Sequence, residues 1–172
     1  VGRHDALEAA EGLLGAHEHA RALGEASQPV AVELVDDTMI ALARSIPIFQ
    51  QTVEEAVRGD PAALLLVEFA EEDMEENRRR LARLHEMMGD LGFGWDKGAD
   101  WRGGVVDALD PAMQGRVAEW RKSGLNIMMS EKSEAKPVSF LEDCAVELKD
   151  LAEYTDRLTG IFDRHGAKGT WY

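Results

Sequence analysis

Two charged side chains, Glu142 and Arg121, stand where this 172-residue sequence could do chemistry. Val138, Phe140, Cys144 and Val146 read as the core face of a strand. Strict alternation sends Glu142 to that same face, where an unpaired carboxylate is costly. Either the strand bulges there or Glu142 meets a cation. Arg121 is a cation in reach, on a helix that ends just before the polar stretch Ser130–Lys136. Its planar guanidinium grips a carboxylate, from a side chain or a small molecule, with two parallel hydrogen bonds. Arg121 and Lys122 are equally explained as cations placed favourably at a helix C-terminus.

The other reactive residue types carry less. His17-Glu18-His19 has the look of a metal pair, but residues two apart on a helix point to different sides and do not share one ion. His85 falls on the solvated flank of its helix, and His165 suits a helix C-terminus. Cys144, the single cysteine, reads as a small buried apolar residue of its strand rather than a nucleophile. It excludes an internal disulfide and a multi-cysteine zinc or iron–sulfur site in this chain. No P-loop, GxGxxG, HExxH or Ser/His/Asp order occurs.

The elements that must position these groups follow from periodicity. Helical spacing runs from Asp5 to about Gly24, and Val30–Val35 alternates as a half-buried strand. Asp36, Asp37 and Thr38 offer caps for a short helix to Ser45. Pro47 to Pro61 reads as a connection, and Ala62–Ala70 as a central strand covered on both faces. Met74, Leu81, Leu84, Met88 and Leu91 share one helical face, opened by Glu71, Glu72, Asp73, Glu75 and Glu76, with Glu75–Arg79 and Glu76–Arg80 as i,i+4 pairs on a solvated side. Gly89–Gly104 is a glycine-rich loop with Trp95 and Trp101, and Val105–Leu109 a short strand. Asp110-Pro111 starts a helix with Met113, Val117 and Trp120 as its buried stripe, ending at Gly124. From Leu125 the pattern dissolves into the mobile loop Ser130–Lys136, and Val138–Val146 is the next strand. Leu148, Leu151, Leu158, Ile161 and Phe162 mark a last helix closed by Gly166. Gly169–Tyr172 is β-prone.

Such switching between periods favours a single α+β domain over a bundle. The composition is that of a globular protein, 45% hydrophobic and 30% charged. The net charge of −14 repels phosphate backbones and anionic lipid, which argues against a nucleic-acid partner. No apolar run approaches the roughly 20 residues of a transmembrane helix, and Val1–Asp5 lacks a signal peptide's apolar core; the expected location is cytoplasmic.

Three stretches carry a resemblance: Arg121–Ser130, Lys136–Val146, and Tyr154–Leu158 followed by Arg164–Tyr172. They resemble the C-terminal cap, or substrate, domain of FAD-linked oxidases, in the branch of D-lactate and glycolate dehydrogenase-like enzymes often fused to an iron–sulfur domain. Glu33–Asp36, Arg58–Phe69 and Leu91–Phe93 are similar too. The resemblance implies a ferredoxin-like antiparallel sheet with helices packed on one face, covering an FAD held by a separate domain of the same parent chain. It further implies that residues 1–172 are part of that cap domain, with the FAD-binding domain, the family's histidine-containing stretch and any iron–sulfur cluster elsewhere in the parent. Arg121 matches the arginine that binds a substrate carboxylate in relatives. The tryptophan of that motif falls at Ala118 with Trp120 shifted, Leu141 stands where some relatives have lysine, and Glu147 where a proline often follows.

The function implied is the substrate side of an FAD-dependent oxidoreductase acting on a small 2-hydroxy acid, with Arg121 and Glu142 on the substrate side and no catalysis by the piece alone. A freestanding ferredoxin-like ligand-binding or regulatory module is the alternative, with an exposed sheet edge as a route to a homodimer.

Overall fold

The computed structural model describes residues 29–95, 103–129, 138, 141 and 144–171. The helix expected over Asp5–Gly24 with His17 and His19, the loop Ser130–Lys136, and Glu142 all lie outside the described residues.

The chain is a mixture of helix and strand. Strand β1 (Ala31–Asp36) leads into helices α1 (Asp37–Ser45) and α2 (Pro47–Ala56), and strand β2 (Ala63–Glu68) follows. Helices α3 (Met74–Asp90), α4 (Pro111–Lys122) and α5 (Gly124–Met129) come next, and a 3-10 turn at Leu148–Asp150 opens α6 (Leu151–Arg164). β1 and β2 pair antiparallel, from Ala31↔Glu68 to Asp36↔Ala63. A two-stranded ribbon is marginal alone, so its stability comes from the helices on it. Val35 shares a buried cluster with Met39, Ile40 and Ala43 of α1, Val53 of α2, Trp120 of α4 and Ile127 of α5; Leu64 and Leu66 of β2 pack against that cluster.

Local chemistry explains most boundaries. Asp36 caps α1 by accepting the Met39 amide at 3.0 Å, Asp73 caps α3 through the Glu75 amide at 2.9 Å, and Asp110 caps α4 through the Met113 amide at 2.9 Å. α6 ends as its sequence indicates: Gly166 is left-handed at φ 65°, and Gly166 and Ala167 donate to the carbonyls of Asp163 and Phe162.

Several expectations are corrected. Residues 47–56, expected as connection, form α2: proline at the first helical position gives up an amide the helix does not use and so permits it, and the helix buries Thr52 and Val53. β2 is half-buried along most of its length, and its neighbour among the described residues is β1 alone. Val105–Leu109 is irregular rather than a strand; the Val105 carbonyl takes the Trp95 indole at 2.8 Å and the Ala108 carbonyl takes the Gln114 amide group at 2.8 Å. α5 continues the helical path to Met129, with Ile127 and Met128 buried. The described part of the Val138–Val146 segment is irregular, and Val138, Leu141, Cys144 and Val146 are all exposed. The acidic opening of α3 is not wholly solvated. Arg80 is 7% exposed and held by Glu71 at 2.9 Å and Glu76 at 3.0 Å, while Glu75 pairs with Arg78.

Candidate functional site

Helix α4 delivers two adjacent residues to different environments. Consecutive helical positions are about 100° apart, so Trp120 can enter the core at 2% exposure while Arg121 lies on the flank. That flank faces β1, where Glu33 Oε2 accepts a hydrogen bond from Arg121 Nε. Glu33 pairs with Leu66, and Val35 with Leu64, across the ribbon. Paired residues share a face, so Glu33 sits on the face whose Val35, Leu64 and Leu66 meet the helical cluster. The Glu33 carboxylate is only partly covered there, and α4 sets a cation beside it.

These residues line a cleft of about 260 Å³. Met39, Leu66 and Trp120 make an apolar lining, and Glu33, Arg121 and Lys122 bring charge to it. Lys122 also lies 3.7 Å from Glu119, and α4 gives way to α5 at Gly124, which also borders the cleft. An apolar lining beside a planar, permanently charged fork suits a short-chain carboxylic acid.

The remaining sequence candidates fall elsewhere. Arg121 lines the cleft, and its described partner is Glu33; Glu142 is outside the described residues. Cys144 is exposed rather than buried, and its hydrogen bond with Tyr154, followed by burial, pushes the Tyr154 phenol up. His85 sits on the flank of α3 and meets Asp107 at 2.8 Å. His165 follows the end of α6. Among the described residues no group of three or more His, Cys, Asp or Glu is arranged to hold a metal. No helix there is long and apolar enough to cross a membrane. The residue that sequence reasoning missed is Glu33. With Val35 buried two positions on, alternation places Glu33 on the same face.

Residues 14–172 match the family model described as FAD linked oxidases, C-terminal domain, and the chain belongs to that family. It is 30% identical over 149 residues to D-2-hydroxyglutarate dehydrogenase of Pantoea ananatis (strain AJ13355), covering 81% of this chain and 14% of that protein. The enzyme of the same name from Escherichia coli (strain K12) is 29% identical over 151 residues, again 81% of this chain and 14% of the relative. The one from Haemophilus influenzae (strain ATCC 51907 / DSM 11121 / KW20 / Rd) is 25% identical over 139 residues, 79% of this chain and 13% of the relative. The chain thus spans about a seventh of the length of these relatives. No solved structure matches it.

The cleft is smaller than the roughly 300–1,000 Å³ usual for drug-sized ligands and sets a carboxylate, Glu33, beside its arginine. A dinucleotide needs backbone amides converging on its phosphates. The described cleft does not by itself fit FAD.

Proposed function

We propose that this chain is the substrate-side cap of an FAD-dependent oxidoreductase acting on a small 2-hydroxy acid, and that Arg121 receives the substrate carboxylate. One observation carries the reading: Arg121 lines an apolar-walled cleft, and its described bond uses Nε, so that among the described residues neither terminal nitrogen is paired with a carboxylate. The names of the relatives support a 2-hydroxy acid and favour a dicarboxylic one. Lys122, on the rim of the same cleft, then suits a second carboxylate. Glu142 is proposed as a further pocket carboxylate.

On this reading the protein's own residues bind and orient. Trp120 and Met39 exclude water from the ligand's carbon chain, and Arg121 fixes its carboxylate with charge-assisted bonds. The redox chemistry belongs to FAD, held mainly by a separate domain of the same parent chain. The 172-residue piece alone is inactive. The finer architecture proposed is the ferredoxin-like cap, of which the antiparallel β1–β2 pair with the two helices between them would be one part.

The experiment is kinetic, on the complete parent protein. Arg121→Lys keeps the charge and loses the fork, so KM for D-2-hydroxyglutarate should rise and kcat/KM fall by about tenfold or more, since a hydrogen bond to a charged group contributes roughly 1.5–3 kcal/mol. Unchanged kinetics in both Arg121→Lys and Arg121→Ala would remove Arg121 from the substrate site. For the piece alone, flavin absorbance that co-elutes on gel filtration, or turnover of a 2-hydroxy acid, would contradict its inactivity.

A further inference from the structure

A guanidinium has two edges that can grip a carboxylate: one formed by Nε with a terminal nitrogen, the other by the two terminal nitrogens. Glu33 approaches Arg121 from the first, through Nε. Among the described residues no other carboxylate pairs with Arg121, so none of them occupies the end-on edge. A long side chain at a helix end has many rotamers, and ordering it costs conformational entropy when a ligand binds. Glu33 can meet part of that cost in advance, because the pairing of β1 with β2 fixes the backbone from which its side chain reaches Arg121. The pair contributes little to stability, since the two side chains are 46% and 34% exposed. Its consequence is therefore orientation.

We propose that Glu33 is a positioning residue, which holds Arg121 by Nε and so presents the two terminal nitrogens to the carboxylate of a small acid. This inference rests on the reading of Arg121 as the carboxylate-binding group. The opposite role for Glu33 would be that of a competitor, an internal carboxylate that a substrate must displace.

The two roles predict opposite signs in one measurement. The complete parent protein is titrated calorimetrically with glutarate, a dicarboxylate with no hydroxyl to oxidise, as parent, Glu33→Gln, Glu33→Ala and Arg121→Ala. Gln and Ala remove the same negative charge, so both relieve repulsion of the anion equally; only Gln keeps an oxygen that accepts from Nε. Positioning predicts that Glu33→Ala binds glutarate about five- to tenfold more weakly than Glu33→Gln, with the two melting together. Equal affinity, or tighter binding by Glu33→Ala, overturns the inference. If truncation unfolds the protein, Glu33→Met, of similar length and without an oxygen, takes the place of Glu33→Ala. Loss of binding in Arg121→Ala alongside equal affinities for the two Glu33 variants removes Glu33 and leaves the reading of Arg121 intact. Parent and Arg121→Ala that respond to glutarate alike, whether binding or not, remove that reading itself.

Discussion

The Asp36 carboxylate accepts the backbone amide of Trp171 at 2.9 Å, joining positions 135 apart in sequence. The same group takes the Thr170 hydroxyl at 2.8 Å and the Met39 amide at 3.0 Å, and the Asp36 amide donates to the Trp171 carbonyl at 3.2 Å. Asp36 is fully buried. One residue therefore ends β1, caps α1 and fastens the segment that follows α6. Removing a buried charge-assisted acceptor strands several donors, and we expect Asp36→Ala to lose about 3–5 kcal/mol. Thr170→Val removes one donor and should lose about 1 kcal/mol. Urea midpoints check both; a loss below 1 kcal/mol for Asp36→Ala would show that the segment is not fastened there.

Acid sensitivity should trace in part to the contact between α2 and α4. Hydrogen bonds from Gln51 and then Arg116 hold the Glu55 carboxyl below its ordinary value, against opposing effects of desolvation and Asp110. A carboxylate with a lower pKa folded than unfolded contributes stability above the unfolded pKa and loses it as pH falls through the folded one. Glu55→Gln should therefore flatten the acid limb of a stability-against-pH curve while leaving the slope near neutrality unchanged. An acid limb identical in the variant would show that the contact is not linked to folding.

Gly104 tests how the stretch after α3 is anchored. A Cβ there would overlap the Trp95 ring, which is held by the Val105 carbonyl and covered by the Arg58 guanidinium 4.9 Å from its centroid. Overpacking of this kind costs about 1–3 kcal/mol. We expect Gly104→Ala to lose that much alone and much less in a Trp95→Ala background, where the obstacle is gone. Additive losses in the double variant would exclude the contact.

How far the sequence led can be argued from a few residues. Asp73 reads from sequence only as one of the acids that open α3 and proves to be its cap, whereas the caps at Asp36 and Asp110 and the glycine after α6 were legible, because each is a local rule about one helix end. α2 was not: Pro47 is a stop in one context and a start in another, and what decides is tertiary, the burial of Thr52 and Val53. Arg80 looked like part of a charged surface, since burial of an arginine depends on where Glu71 and Glu76 happen to stand. In the cleft, the sequence singled out Arg121 but not the Glu33 it bonds. β1 is apolar on both sides, with Val32 and Leu34 opposite Val35, so alternation alone could not say which face Glu33 shares with the core.

The pairing of Arg121 separates stability from binding. Its contact with Glu33 is partly solvated, and measured pairs of that kind couple by under about 1 kcal/mol. A double-mutant cycle over Arg121→Ala and Glu33→Ala, read by urea unfolding, should therefore give a coupling of about 0.5 kcal/mol and no more than 1. The parallel cycle with Glu142→Gln asks whether the strand-borne carboxylate expected from alternation meets the same arginine. A buried pair broken on one side costs about 3–5 kcal/mol, so a true Arg121–Glu142 pair would show as a large loss for Arg121→Ala that Glu142→Gln largely restores. Because Arg121 already bonds Glu33 and stands 46% exposed, we expect that restoration to be absent. A coupling above 2 kcal/mol with Glu142 would reverse the assignment and make Glu142 the residue that holds the guanidinium.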